Sequence, residues 1–502
     1  MAYKGPKNAP KASSSSNHNG SSSARPKSTG AHSGTPSLYK GPKKPARSRV
    51  NAPKASPARR AALEVGQIVR VRNAFAQEVI AKHVDGSHLS PEDRAFATRL
   101  ALGVASSLGT LDEVIDRCLK APTDIQSDVR DALRISTYEI LFLDKTPHAA
   151  VDQGVELVRT VAPKAAGLAN AVLRKVVAAK KDFPFGDPAT DVAALARAHA
   201  FPQWLAERLV KDLGFEDAAI FMAASNEPAP VFIAINSLKA SSEDVYPVFK
   251  SAGATLSAVV IKQHTVPGCF FLSDTRALQN EGVQRLFREG KILVSDASSQ
   301  MIARSILPNK QQPKTFLEIG AGRATKTILL QSDAKLLYNK QLKLSTLDNH
   351  EFKTKLLKER ATRYGVALEK AYTGDATKLD AVVPGVMFDE IFIDAPCSGL
   401  GTLRRHSEIR WRIDEQSITS LASLGLSMLK SAASHVSPGG TLAYATCTVL
   451  REENEDVVKS FLTSAEGANF DLGTVCGSPT FHTKLAPRSY DAHFAVCLVR
   501  AR

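Results

Sequence analysis

From about Ala58 to Lys180 apolar residues return every three or four positions, most regularly in Ala61 to Phe75 and Asp128 to Phe142. That is the period of a helix with one buried face, so an all-helical domain is expected over residues 58–182. From Phe201 to about Leu293 the pattern is mixed. Phe201-Pro202-Gln203-Trp204-Leu205 opens a helix with its proline near the first turn, while Val231 to Ile235 and Ala258 to Lys262 read as strands. Residues 183–293 are therefore expected to form a small α+β insert. Beyond Lys314 the two periods alternate. Strands are predicted at Thr315 to Ile319, Leu344 to Leu347, Phe388 to Ile393 and Thr441 to Ala445, with helices at Glu351 to Tyr364 and Ser417 to His435. Such alternation builds a mostly parallel, doubly wound α/β sheet, assigned here to residues 294–502. Ligands of these sheets lie beyond the carboxyl ends of the strands, which directs attention to the residues just after each one.

Charge changes the picture at one end only. The formal net charge is +15, but the first 60 residues hold thirteen Lys and Arg and no Asp or Glu, leaving about +2 for the rest. In that tail Tyr3 to Lys7 is echoed by Tyr39 to Lys43, and Asn8 to Ser13 by Asn51 to Ser56. Ser, Gly and Pro between the copies cannot bury enough surface to offset ordering entropy, so residues 1–57 read as disordered. Two roles fit: a polycation that holds nucleic acid loosely through its phosphates, or a solubilising extension. The six cysteines form no CxxC pair, which removes support for zinc and for a disulfide framework. No apolar run resembles a signal peptide or a membrane span. The expectation is a cytoplasmic protein with no metal and no membrane partner.

Candidate chemistry collects after the predicted strands. Gly320-Ala321-Gly322-Arg323-Ala324-Thr325-Lys326 follows the first, where glycines allow close backbone approach and a helix start offers free amides. Asp348 follows the second, suited to ribose hydroxyls, and Asp375 the third, suited either to an exocyclic amine or to capping a turn. No GxxxxGK[ST] loop is present, so an adenosine without a triphosphate is the better ligand. The fourth strand ends in Asp394-Ala395-Pro396-Cys397-Ser398-Gly399, followed by Arg404-Arg405-His406, and the fifth in Ala445-Thr446-Cys447-Thr448. A lone cysteine in a strand is usually core packing. Two at neighbouring strand ends point to chemistry.

These residues reach a known pattern. The stretches DAPCSGLGTLRRHSEIRW (Asp394 to Trp411) and ATCTVLREENEDVV (Ala445 to Val458), with Val294 to Gln300 and Asp491 to Arg500, resemble the Sun/Fmu (RsmB-type) bacterial 16S ribosomal RNA cytosine-5 methyltransferases, relatives of the Nol/Nop/Sun enzymes. The helical segment resembles the NusB-like RNA-binding fold through Asp93 to Ala97, Leu133-Arg134 with Tyr138, His148 to Asp152 and Asn170 to Arg174. The resemblance implies a Rossmann-like class I methyltransferase domain after a NusB-like domain and the insert, S-adenosylmethionine as cofactor, and 16S rRNA as partner to a monomer. It implies cofactor contacts from the Gly320 to Lys326 loop, Asp348, Asp375 and Asp394.

By the same resemblance Cys447 is the nucleophile that adds to carbon 6 of cytosine, Cys397 assists product release, Asp394 meets the base, and Arg404 and Arg405 hold RNA phosphates. DNA cytosine-5 methyltransferases use a Pro-Cys thiol instead, which keeps the opposite assignment, Cys397, open. The cofactor loop departs from the family's usual Asp-x-Cys-Ala-Ala-Pro-Gly-Gly-Lys-Thr, keeping only Ala321, Lys326 and Thr327. Smaller departures are Ser407 for Pro, Ala445 for Ser, and Ala234 where the insert often carries Arg. Two other readings fit these residues: a noncatalytic RNA-binding assembly factor with a decayed loop, and the same chemistry on transfer RNA or another ribosomal site.

Overall fold

The computed structural model describes residues 55–143, 146–308 and 311–502. The tail assigned to residues 1–57 lies outside the described residues except for its last three.

Six helices come first: α1 (Pro57–Arg72), α2 (Ala76–His83), α3 (Pro91–Cys118), α4 (Ser127–Phe142), α5 (Pro147–Val161) and α6 (Ala166–Ala179). Their starts are chemically marked. Ser56 and Ser90 each precede a proline at the first helical position, and their hydroxyls accept from the Arg59 and Asp93 amides at 3.4 and 3.1 Å. Helix α1 stops at Arg72, short of the expected Phe75, because Asn73 turns left-handed at φ 49°. The bundle closes over Leu100, Ile115, Leu133, Leu157 and Leu173. Fully buried Glu139 is held by Arg59 through two bonds of 2.8 and 2.5 Å. Breaking such a buried pair from one side costs about 3–5 kcal/mol.

The insert opens with three helices, Val192–Ala198, Gln203–Leu213 and Phe215–Ala224, with Pro202 capping the second rather than standing inside it, and carries two more, Ser242–Ser251 and Glu281–Arg288, between its strands. Four strands follow: β1 (Phe232–Ile235), β2 (Leu256–Ile261), β3 (His264–Leu272) and β4 (Ile292–Val294), an antiparallel sheet in the order β2-β3-β1-β4. Strand β2 ends one residue before the expected Lys262. Lys262 and Gln263, at φ 46° and 69°, make the two-residue turn into β3.

The remaining strands are β5 (Phe316–Ile319), β6 (Leu344–Asp348), β7 (Lys370–Thr373), β8 (Phe388–Asp394), β9 (Val436–Thr446), β10 (Phe470–Leu472), β11 (Thr480–His482) and β12 (Phe494–Arg500). They form one sheet in the order β10-β12-β9-β8-β5-β6-β7, with β11 beside β12. Strands β5 to β9 run parallel, and β10 to β12 return antiparallel on the β9 edge. Side chains alternate between two covered faces. Phe316, Phe392 and Ala443 pack toward Ile328 and Leu329, whereas Leu317, Ile393 and Leu442 pack toward Leu429. The chain moves outward from β5 to β7, then restarts at β8 on β5's other side. This is the switch point at which such sheets bind ligands.

One segment joins all three parts. The Trp411 indole donates to the Ser106 carbonyl at 2.8 Å, and a Cβ on Gly109 of α3 would lie 2.3 Å from its ring. Glu408 accepts from the Ala76 amide at 2.5 Å, and Arg412 donates to Ala74 at 2.6 Å while lying over the Phe75 ring. Fully buried Arg410 reaches the insert at Asn226 Oδ1, 2.8 Å, and Ala200 O, 3.2 Å. The loop that begins at Cys397 is thus anchored on both other parts. Among the described residues no helix is long and apolar enough to cross a membrane, and no group of His, Cys, Asp or Glu is arranged to hold a metal ion.

Candidate active site

The chain leaves β5 so close to the end of β8 that only glycine fits. Gly320 has φ 83°, and a Cβ there would stand 2.4 Å from the Asp394 carbonyl oxygen. Gly322, at φ 53°, points its amide at Asp348 Oδ2, 3.1 Å away. Asp348 ends β6, buried, and also receives the His350 amide at 3.1 Å. Ala324 is left-handed at φ 63°, a conformation costing an L-residue roughly 1–2 kcal/mol, where the related loop carries glycine. The turn is retained despite that strain. Arg323 is exposed, and the helix Thr325–Tyr338 starts directly after Ala324.

Lys326, in the first turn of that helix, leaves the loop and crosses to β8. Its Nζ lies 2.8 Å from both carboxylate oxygens of Asp394. Beyond Asp394 the two thiols meet, with Cys397 Sγ 3.3 Å from Cys447 Sγ. The bond shared with Cys397 holds the Cys447 thiol below its ordinary value; burial and Asp394 oppose this, and Lys326 reinforces it. The same shared bond, together with burial, pushes Cys397 well above the ordinary range. The Cys447 amide also points at Cys397 Sγ from 3.3 Å, which pulls Cys397 the other way and is outweighed. The two thiols are thus shifted in opposite directions, Cys447 down and Cys397 up.

Asp375 stands apart. It is exposed beyond β7, capping the turn Ala376–Lys378 through Thr377 N at 2.9 Å and Oγ1 at 2.7 Å, bonds that hold its carboxyl below the usual range.

Three family models match in succession: the NusB family over residues 56–178, the ferredoxin-like domain of RsmF/B-like methyltransferases over 201–266, and 16S rRNA methyltransferase RsmB/F over 305–484. A protein of Synechocystis sp. named "Probable ribosomal RNA small subunit methyltransferase B" is 30% identical over 82% of this chain and 90% of its own. The chain belongs to the RsmB/F family of 16S rRNA methyltransferases. Its Bacillus subtilis relative of the same name is 29% identical over 80% of this chain and 87% of that one. The crystal structure of PH0851 superposes with a TM-score of 0.68 at 25% identity, covering 88% of this chain and 98% of that one.

The RsmB/F enzyme is an S-adenosylmethionine-dependent rRNA methyltransferase, and the residues at its switch point suit that cofactor. Gly320 lets the loop lie against the end of β8, and the Asp348 carboxylate beside it offers acceptors suited to hydroxyls rather than phosphate. Gly320→Ala should weaken S-adenosylmethionine binding in calorimetry by about ten-fold or more, because its Cβ forces the loop off β8. Gly322→Ala should cost several-fold less, since its nearest neighbour, Gly320 O, is 3.6 Å from the new atom.

One sequence expectation is corrected. Arg404 does not face RNA: it is buried, and its guanidinium donates to the carbonyls of Ala224 at 2.9 Å and Ser489 at 2.7 Å, and to that of Ala486. The turn Leu400–Thr402 swings it inward, where three carbonyls replace phosphate as acceptors. Arg405 is half-buried against Asp491, whose carboxyl burial raises to about 7. Ala234, where the insert often carries Arg, is buried within β1.

Other residues here were not singled out from sequence. Ser298 Oγ lies 2.7 Å from His493 Nδ1 and 2.5 Å from Asp296 Oδ1, and burial, with Lys326 nearby, holds His493 down at about 3, hence neutral. Glu453, buried below the thiols, binds Ser398 and Thr448. Both groups fall inside the stretches that carried the family resemblance, so the position was visible though the role was not.

Proposed function

We propose that this chain methylates carbon 5 of a cytosine in 16S rRNA through a covalent adduct on Cys447. The observation that carries this reading is the thiol pair in contact at 3.3 Å beside the Lys326 and Asp394 ion pair, at the ligand edge of adjacent strands. Core packing needs neither two touching thiols nor a half-buried ion pair next to them.

Carbon 5 of cytosine is a poor nucleophile until a thiolate adds to carbon 6. Cys447, the member held below its ordinary value, forms that carbon–sulfur bond. The carboxylate of Asp394 accepts from the exocyclic amine, and the Lys326 ammonium, already bound to it, supplies a hydrogen bond or proton to the ring nitrogen as charge moves there. Bound S-adenosylmethionine supplies an electrophilic methyl group. The carbon 5 proton is then lost to water, its bonding electrons restore the ring double bond as the carbon 6–sulfur bond breaks, and the Cys397 thiol assists by donating a hydrogen bond to the departing Cys447 sulfur. With Arg404 turned inward, phosphate contacts fall to exposed groups such as Arg323 at the mouth.

A noncatalytic assembly factor would have no use for the strained turn at Ala324 or for Lys326 reaching Asp394. Bisulfite sequencing of 16S rRNA from a deletion strain and its parent tests the proposal. One cytosine protected in the parent should become convertible in the deletion strain, and a full set of unchanged protections would sink it.

A further inference from the structure

Beneath the thiols lies a buried carboxylate that the chemistry above leaves unused. Glu453 is 1% exposed, in the turn Arg451–Glu453 that follows β9. Its Oε1 accepts from the Ser398 amide at 2.6 Å, and its Oε2 from the hydroxyls of Ser398 at 2.6 Å and Thr448 at 2.9 Å. Among the described residues it makes no ion pair, although an isolated buried carboxylate is costly to keep. Ser398 follows Cys397 and Thr448 follows Cys447, so this one group grips both thiol-bearing loops a single residue past each sulfur.

The grip is unequal. Cys447 directly follows β9, which is laddered on both sides by β8 and β12, and its carbonyl accepts from the Gly401 amide at 2.9 Å. Cys397 lies in the loop after β8, behind Pro396, which has no amide to donate. Two of the three bonds to Glu453 come from Ser398. Removing the carboxylate therefore frees the Cys397 loop first and leaves Cys447 on its strand.

We infer that Glu453 is a positioning residue that holds Cys397 against Cys447, and that it governs resolution of the covalent adduct rather than its formation. This rests on the reading of Cys447 as nucleophile and Cys397 as the releasing thiol.

The test uses the full chain with S-adenosylmethionine and transcribed 16S rRNA, and reads covalent protein–RNA complex on denaturing gels. Glu453→Gln keeps one acceptor oxygen and turns a donor toward two hydroxyls. It should trap 5-azacytosine RNA within about three-fold of the parent rate, lose turnover by about 10–100-fold, and accumulate complex on unsubstituted RNA. Ser398→Ala, which keeps the amide bond, should show the same pattern more weakly and carries the test if Glu453 variants do not fold. Trapping and turnover slowed in equal proportion, or both unchanged, overturns the inference. Trapping that persists in Cys447→Ala overturns the underlying reading instead, a separate result from the same gels.

Discussion

Cys447→Ala should abolish both methyl transfer and adduct formation, lowering turnover by on the order of 10⁴-fold or more, while Cys397→Ala keeps adduct formation and stalls after it. The two thiols are the same chemical group 3.3 Å apart, so the difference must come from their surroundings. The bond from Cys397 lowers the Cys447 thiol, and Lys326 lowers it further. Cys397 is pushed up by the bond it shares with Cys447 and by burial, and among the described residues has no lysine beside it to offset them. Removing Cys447 therefore removes the thiolate. Removing Cys397 leaves Cys447 without its hydrogen-bond donor, but still beside Lys326 and still able to add. Its complex with unsubstituted RNA should then persist through denaturation, because the adduct loses its route back. If the reverse is seen, with Cys397 required for trapping and Cys447 dispensable, the assignment taken from DNA cytosine-5 methyltransferases holds and the present one falls.

How much of this could be read without the structure depends on how local each cause is. Strands β5, β6 and β8 are buried on both faces, so their apolar runs place them to within one residue. Strand β9 begins five residues earlier than expected because Pro438-Gly439-Gly440, which reads as a turn, is a kink inside the strand, with Gly439 at φ 77°. Strands β10 and β11 are three residues each, too short for any period, and they order only by pairing with β12. The site divides the same way. That the thiols are neighbours follows from strand alternation, and Gly320 and Asp348 from their place after a strand. That Arg404 turns inward, that Lys326 crosses from one strand end to the next, and that Glu453 lies under both thiols are tertiary facts. A run of basic residues beside a predicted site looks like an RNA contact until three carbonyls, each more than 80 positions away along the chain, are found around Arg404.

Lys326→Met should lower turnover by about 10²-fold and move the acidic limb of the pH–rate profile to higher pH. The ammonium is the positive charge acting on Cys447, whose thiol it helps hold down, so its removal raises that thiol and leaves less thiolate at a given pH. The deficit should therefore be largest at low pH and shrink as pH rises through the parent's working range. A second loss does not recover with pH, since the ring nitrogen has also lost its donor. The variant leaves Asp394, 29% exposed, without its partner, which should cost about 2–3 kcal/mol of stability, less than for a fully buried pair. Lys326→Met combined with Asp394→Asn should restore the melting temperature without restoring the rate. That separates charge in catalysis from charge in folding. A parent-to-variant ratio that stays flat with pH would show that Lys326 serves Asp394 alone and does not reach the nucleophile.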